Sequence, residues 1–304
     1  MQKKCNIASI AEDSVYGLFL QHLKSLGFAA ESILAYRDSL RYFLDYLQGR
    51  GIESHLGVTR QIALDYIQSL RDRKISEASI DIYCRPAKQT YDFLIERQEL
   101  FINPFHGIIV TMPKKLQPVL SQDDVSRILD AVDLKKPIGV RDRALLELLY
   151  NTGLRRAEII RLNLVSVNLA DRTVRVLGKG SKERLMPIGN NTVKWMERYI
   201  NDARIKLLEG SISEALWIKS GGGRIGYELI EQMFRKYKKI LGYTQRLSCH
   251  DFRRAFATHM LQNGADPVSL QHLLGHADLS HLKNYLRLTI ADLKKAHAES
   301  RVSQ

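Results

Sequence analysis

Apolar side chains recur every three or four positions through four stretches of the first hundred residues: DSVYGLFLQHLKSLG, ESILAYRDSLRYFLDYLQGRG, TRQIALDYIQSLRDRK and SEASIDIYCRPAKQTYDFLIERQEL. That period lines one face of an α-helix with hydrophobic groups and leaves the other polar. Thr59 and Ser76 stand where N-caps belong, and Gly27 and Gly49 where helices stop. Pro86 falls inside the fourth pattern; without an N–H it is expected to kink that helix or mark an irregular turn. Four amphipathic helices with short connections predict a small bundle.

The period then lapses over INPFHGIIVTMPKKLQPVLSQDD, which carries three prolines and several lysines. We read residues 1–106 as a helical N-terminal domain, 107–120 as a linker and 121–304 as a second domain. Ser121 with Asp124 looks like a capped helix start. Helices are predicted near 122–132, 139–151, 190–208, 226–241, 249–263, 266–274 and 280–288, with Asp266-Pro267 supplying an N-cap and a proline at the first helical position. Between them TVRVLGKGSKERLMPI alternates, turns at Gly178-Lys179-Gly180 and alternates again, which is a β-hairpin pattern. The predicted class is mainly α with a small β-sheet: a helical bundle followed by a mixed α/β domain.

Composition narrows the setting. The chain has 304 residues, 45% hydrophobic and 26% charged, as expected of a globular protein with two cores. No apolar run approaches the roughly 20 residues that span a bilayer, so no membrane association is expected. The segment MQKKCNIASIAEDS meets Glu12 and Asp13 soon after its lysines, which makes a poor signal peptide. Cys5, Cys84 and Cys249 form no CxxC pair, which argues against a disulfide framework or a zinc knuckle and for a reducing, cytoplasmic compartment. The net charge of +13 is uneven, with 15 basic and 13 acidic residues up to Lys115 against 31 and 20 beyond it. A basic excess favours polyanionic partners through counterion release. On charge alone, a merely basic soluble enzyme fits equally well.

Candidate chemistry lies in the second half, and each piece has an ordinary alternative. Arg155, just past the Gly153 break, could cap a carbonyl or pair with Glu158. Lys179 could be a solvated loop lysine; GxxxxGK[ST] is absent, which argues against a nucleotide cradle. His250 and Arg253 stand three apart at a helix start and so on one face. His272 and His276 have i,i+4 spacing, but with no HExxH glutamate and no nearby cysteine, no metal site is expected. Cys249 and His250 are sequence neighbours, which is not how a thiol–imidazole pair is built. Tyr285 could simply be a half-buried packing residue.

Together these pieces form a pattern. NTGLRRAEI, VLGKGSKERLMPI, HDFRRAFATHMLQNGAD and LLGHADLSHLKNYL occur in that order and closely resemble the tyrosine recombinases, the phage-integrase and Xer group. The resemblance runs from about Asn103, where NPF…PKKLQPVLS is similar to the family's linker, to about Leu288. It extends more loosely to the N-terminal half, which looks like the family's SAM-like core-binding domain. It implies Arg155 and Arg253 as clamp arginines, Lys179 as the hairpin lysine, His250 and His276 as the histidine positions, Tyr285 as the nucleophile and Glu158 as an acidic support.

The implied function is site-specific recombination, in which DNA strands are cleaved and rejoined through a 3′-phosphotyrosyl intermediate. The implied partners are double-stranded DNA with a specific core site and a homo- or hetero-tetramer on synapsed DNA, with no cofactor. The residue types suit the chemistry. Guanidiniums offer planar forks of donors to phosphate oxygens, a phenol with a pKa near 10 needs help with its proton, and a lysine can protonate a leaving 5′ oxygen.

Phe252 and Arg254 replace the leucine and histidine common in the family, and HLKNY replaces its frequent threonine-rich stretch. These departures bear on the subgroup, not on the positions of the chemistry. Two other readings stay open on sequence: a type IB topoisomerase-like nicking–closing enzyme, and a non-catalytic DNA-binding accessory factor. So does the choice between chromosome-dimer resolution and a mobile element. The tail TIADLKKAHAESRVSQ could pack in cis or onto a neighbouring protomer.

Overall fold

The computed structural model describes residues 10–110, 118–178, 183–245 and 247–275. Contacts divide the chain into two compact units, 1–115 and 116–304.

The first unit is a bundle of α1 (Val15–Ser25), α2 (Ala30–Gly49), α3 (Arg60–Asp72) and α4 (Glu77–Glu96), with a 3₁₀ turn at His55–Gly57. Ser14, Thr59 and Ser76 each accept a backbone N–H at the start of α1, α3 and α4. Leu40, Phe43, Ala63, Tyr66, Leu70, Ile80, Ala87 and Tyr91 fill the core. The ring of Phe43 meets those of Tyr66 and Phe105 edge-on at 5.0 and 5.6 Å. Phe105 is held there by Asn103, whose buried amide donates to the Lys88 carbonyl and to Asp92 and accepts from the Phe105 N–H.

Two local features of this unit bear on those expectations. Gly49 is the last residue of α2 rather than its stop; the positive-φ glycine is Gly51. Pro86 does not interrupt α4, which runs unbroken from Glu77 to Glu96. Its ring is buried in the core, while Ile82, whose carbonyl loses a partner, is 55% exposed and within reach of water. Burial of the ring in the core offsets part of the missing bond.

The second unit surrounds α6 (Pro137–Thr152), whose residues from Gly139 to Leu149 are almost all buried. Before it, α5 (Gln122–Asp130) starts with the expected box: Ser121 accepts from the Asp124 N–H while Asp124 accepts from the Ser121 N–H. After α7 (Arg156–Arg161) comes a three-stranded antiparallel sheet of β1 (Val167–Asn168), β2 (Thr173–Leu177) and β3 (Glu183–Pro187), in that order. Its register pairs Thr173 with Pro187 and Val176 with Arg184. The predicted hairpin is therefore present. The added strand β1 is two residues long, too short for any period to reveal.

The predicted helix over 190–208 is three pieces: α8 (Asn190–Arg198), a π-helical turn at Tyr199–Ala203, and α9 (Arg204–Leu208). The π turn places Tyr199 inside, where its ring stacks on Trp217 at 5.1 Å and its hydroxyl bridges the Leu216 carbonyl and the Ile218 N–H. α10 (Tyr227–Ile240), α11 (Cys249–Gln262) and α12 (Pro267–Leu274) complete the unit. Asp266 caps α12 and Pro267 occupies its first position, as expected. The helix expected near 280–288 and the tail beyond it lie outside the described residues.

One buried polar network braces this core. Arg141 pairs with Asp142 at 2.7 Å and donates to the Ile218 carbonyl, and Tyr237 donates to the other Asp142 oxygen at 2.9 Å. Burial raises the Tyr237 phenol, and the Asp142 charge adds to that, so the hydroxyl keeps its proton and donates. Asp142→Ala would leave a buried guanidinium and a phenol without their acceptor. A loss of about 3–5 kcal/mol is expected, read as a lower denaturant midpoint. An unchanged midpoint would show that the network does not brace the core.

Candidate active site

α6 ends where Gly153 turns left-handed at φ +59 and donates to the Leu149 carbonyl. A β-carbon there would lie 2.5 Å from a Phe256 ring carbon and 3.2 Å from Leu274, so both the angle and the room demand glycine. The turn brings the end of α6 against α11 and α12. Leu154 is fully buried, and Arg155 follows in extended conformation as the N-cap of α7.

Glu158, one turn into α7, is the hub of the site. One oxygen accepts from the Arg155 backbone N–H at 2.8 Å and the other from Arg155 Nη1 at 3.1 Å. Arg184, from β3, meets the same carboxylate as a two-pronged fork, Nη1 to Oε1 at 3.1 Å and Nη2 to Oε2 at 2.9 Å. Burial by itself would raise the Glu158 carboxyl. The Arg184 hydrogen bonds, the Arg155 N–H and the two charges outweigh it and hold the group below its ordinary 4.5. Glu158 is ionised at neutral pH and neutralises part of the arginine charge around it.

Three guanidiniums converge on the last turn of α12. Arg184 Nε donates to the Leu273 carbonyl at 2.9 Å, Arg253 Nη2 to Leu274 at 2.7 Å, and Arg155 Nη2 to Gly275 at 3.1 Å. Arg253 also donates from Nη1 to the Gly153 carbonyl at 2.8 Å, tying α11 to the end of α6. Helix C-terminal carbonyls lack intrahelical donors and carry partial negative charge, so cations are favoured there. Gly275 itself is left-handed at φ +62, and a β-carbon on it would stand 3.3 Å from Arg184 Nη1.

Four of the seven sequence-chosen positions lie in the described residues, and the structure unites three of them. Arg155 and Arg253 both hold the end of α12, and Glu158 holds Arg155. His250 is exposed on the first turn of α11, whereas Arg253, three residues on, is 3% exposed. Lys179, His276 and Tyr285 lie outside the described residues; Lys179 belongs to the segment between β2 and β3, and His276 follows Gly275 directly.

The departures Phe252 and Arg254 have structural partners. Phe252 is fully buried against Phe234, and Arg254 pairs with Asp251 and reaches the Pro118 carbonyl. Sequence reasoning missed Arg184. Its signal was the alternation of β3, which puts Arg184 on the same inward face as buried Met186. A charged residue at an inward strand position asks for a buried partner.

Comparison with known proteins bears on this arrangement. The phage integrase family description matches residues 118–291, and that of the phage integrase N-terminal SAM-like domain matches 16–98. The tyrosine recombinase XerD of Pseudomonas putida is 36% identical over 276 residues, covering 90% of this chain and 92% of its own. XerD of Staphylococcus epidermidis is 34% identical over 277 residues, with 90% and 93% coverage.

Among solved structures, XerH bound to a palindromic difH substrate superposes with a TM-score of 0.74 at 18% identity, over 94% of this chain and 84% of that one. A lambda integrase dimer on a COC′ core site gives 0.69 at 16%, over 87% and 94%. The chain belongs to the phage integrase family of tyrosine recombinases. It is an enzyme of site-specific DNA recombination, a strand transesterification through a tyrosine intermediate. Among the described residues, no helix is long and apolar enough to cross a membrane.

Proposed function

We propose that Arg155 and Arg253 clamp the scissile phosphate of a specific core site in double-stranded DNA while Tyr285 attacks it. The Tyr285 oxygen bonds to phosphorus, the bond from phosphorus to the 5′ oxygen breaks, and Lys179 gives that oxygen its proton. His250 takes up the phenolic proton as Tyr285 attacks, or orients the phosphate while water takes that proton; His276 hydrogen-bonds the phosphate or braces the site, and Glu158 holds Arg155 in place. The products are a 3′-phosphotyrosyl bond and a free 5′ hydroxyl. Because the ester conserves the bond energy, a 5′ hydroxyl from another strand can run the step backward and complete an exchange. The scheme calls on no cofactor, since the guanidiniums and the lysine stabilise the developing charge.

The observation that carries this reading is the pair of hydrogen bonds from Arg253 and Arg155 to the consecutive carbonyls of Leu274 and Gly275. They fix both arginines to the end of the helix from which the chain continues into His276 and Tyr285. Exchange between two duplexes needs four cuts, and one nucleophile per chain then calls for four chains, a homo- or hetero-tetramer on synapsed DNA. Cys84 and Cys249 are both buried free thiols, each pushed up to about 12 chiefly by burial, which supports a reducing, cytoplasmic setting. Integration, excision and resolution all use this chemistry.

Covalent capture tests the scheme: the protein is mixed with nicked, fragmented DNA from its source, denatured in SDS, and linked fragments are recovered and sequenced. Specific linked sites are expected, and specific binding without linkage would overturn the scheme. On a recovered site, Lys179→Ala should slow cleavage by about 10²–10⁴-fold, the usual contribution of a general acid, with little change in binding. Equal losses in rate and affinity would make Lys179 a phosphate contact instead.

A further inference from the structure

We propose that Arg156 is a second DNA-phosphate contact at the edge of the clamp, and that Glu231 is the counter-charge it exchanges for the phosphate. The proposal rests on the reading above, in which Arg155 holds the scissile phosphate. Arg156 is the first residue of α7 and follows Arg155 directly. The two guanidiniums part there. Arg155 turns to Glu158 and the Gly275 carbonyl, while Arg156 turns to α10, where its Nη1 donates to Glu231 at 2.6 Å. The Arg156 guanidinium carbon lies 4.5 Å from the centre of the Tyr227 ring, a side chain that is itself 48% exposed.

The fold makes little use of this arginine. Arg155, Arg184 and Arg253 each donate to a backbone carbonyl and so tie elements together. Among the described residues, Arg156 hydrogen-bonds to Glu231 alone, and the two side chains are 43% and 57% exposed. An ion pair this open to water adds little to stability and is easily exchanged. The Tyr227 face steadies the guanidinium through its π-cloud and leaves the in-plane N–H groups not used by Glu231 to a second anion.

The surroundings of Arg156 suit a polyanion. Its charge is felt at Cys249, where it works against the effect of burial on the thiol, so it stands near the first turn of α11, which presents the exposed His250. Along α10 an exposed column of residues four apart runs Tyr227, Glu231, Arg235, Lys239. Glu231 is the one acid in that column. Glu228, in the first turn of α10, is favoured there by the helix dipole, but Glu231 lies a turn further on, where that effect has faded. What Glu231 does is neutralise Arg156. A phosphate that replaces it gains the same guanidinium and releases condensed counterions as well.

The test is a salt series of equilibrium binding to a labelled nicked duplex carrying a captured site, in a Tyr285→Phe background so that no covalent complex forms. Arg156→Met keeps an apolar chain over Tyr227 and removes the charge. It is expected to weaken binding about tenfold, as loss of a hydrogen bond to a charged group does. The slope of log affinity against log salt should fall by about 0.9, one phosphate. Arg156→Lys should keep that slope, since an ammonium still neutralises a phosphate. Glu231→Gln should tighten binding by about two- to fivefold, the scale of an exposed pair, and the gain should vanish when Arg156→Met is added. Melting temperatures should hardly move in any of these variants. Wild-type affinity and slope in Arg156→Met would overturn the proposal and leave an ordinary surface ion pair. No tightening by Glu231→Gln would overturn the exchange. Arg155→Ala, run alongside, separates this inference from the reading it rests on. A lower slope for Arg155→Ala but not for Arg156→Met defeats the inference alone, and an unchanged slope in both defeats the clamp as well.

Discussion

Tyr285→Phe is expected to abolish the covalent protein–DNA complex while leaving DNA affinity within about tenfold, because a single hydroxyl contributes only about 0.5–1.5 kcal/mol of hydrogen bonding. The loss should be complete within detection, unlike that of a supporting residue, since phenylalanine has no oxygen to bond to phosphorus. The measurement pairs SDS-resistant complex formation with a mobility-shift titration on the same nicked duplex. Residual linkage at the wild-type level would place the nucleophile elsewhere. Loss of binding in parallel would mean that the hydroxyl also holds the DNA, so the missing linkage would not by itself identify the nucleophile.

The second large effect is expected at Arg155. Arg155→Ala should lower the cleavage rate constant by about 10²–10³-fold, the usual result of removing one preorganised donor from a developing negative charge. Arg155 is the cleaner test of the two clamp arginines because 42% of its side chain is exposed. Arg253 is 3% exposed and joins the ends of α6 and α12, so its removal also unties the fold. Arg155→Lys should recover little, since an ammonium cannot hold Glu158, the Gly275 carbonyl and a phosphate with a planar fork. The dependence of binding on salt should weaken by about one ion, a slope change near 0.9, if Arg155 contacts a phosphate. A rate within a few-fold of wild type would remove Arg155 from the clamp.

Much of this architecture is legible in the chain. The Ser121–Asp124 box, the Thr59 and Ser76 caps and the Asp266-Pro267 start are local chemistry, decided within four residues, and each forms as read. The hairpin follows from alternation in the same way. What resists reading depends on distant partners. Pro86 is accepted in α4 because the bundle core covers its ring, and the π turn at Tyr199–Ala203 exists because Tyr199 finds Trp217. No window of sequence contains those partners.

The site divides along the same line. Arg155, Glu158 and Arg253 could be chosen from motifs, but the shared hold of the two arginines on the end of α12 could not. Arg184 was hidden in KER, where a run of charge looks like a solvated turn. Only its inward register and the buried Glu158 reveal what it does. Spacing three apart also misled in part: His250 and Arg253 share a helix start, yet one is exposed and the other sealed in the core.

The most direct test of the central claim is to find the atom that carries the DNA. Wild-type protein linked to a captured site is digested with nuclease and protease, and the peptide bearing the residual nucleotide is sequenced by mass spectrometry. The account predicts a 3′-linked nucleotide on Tyr285, in the peptide containing HLKNYL. A nucleotide on any other residue, or a linkage through a 5′ phosphate, would contradict it.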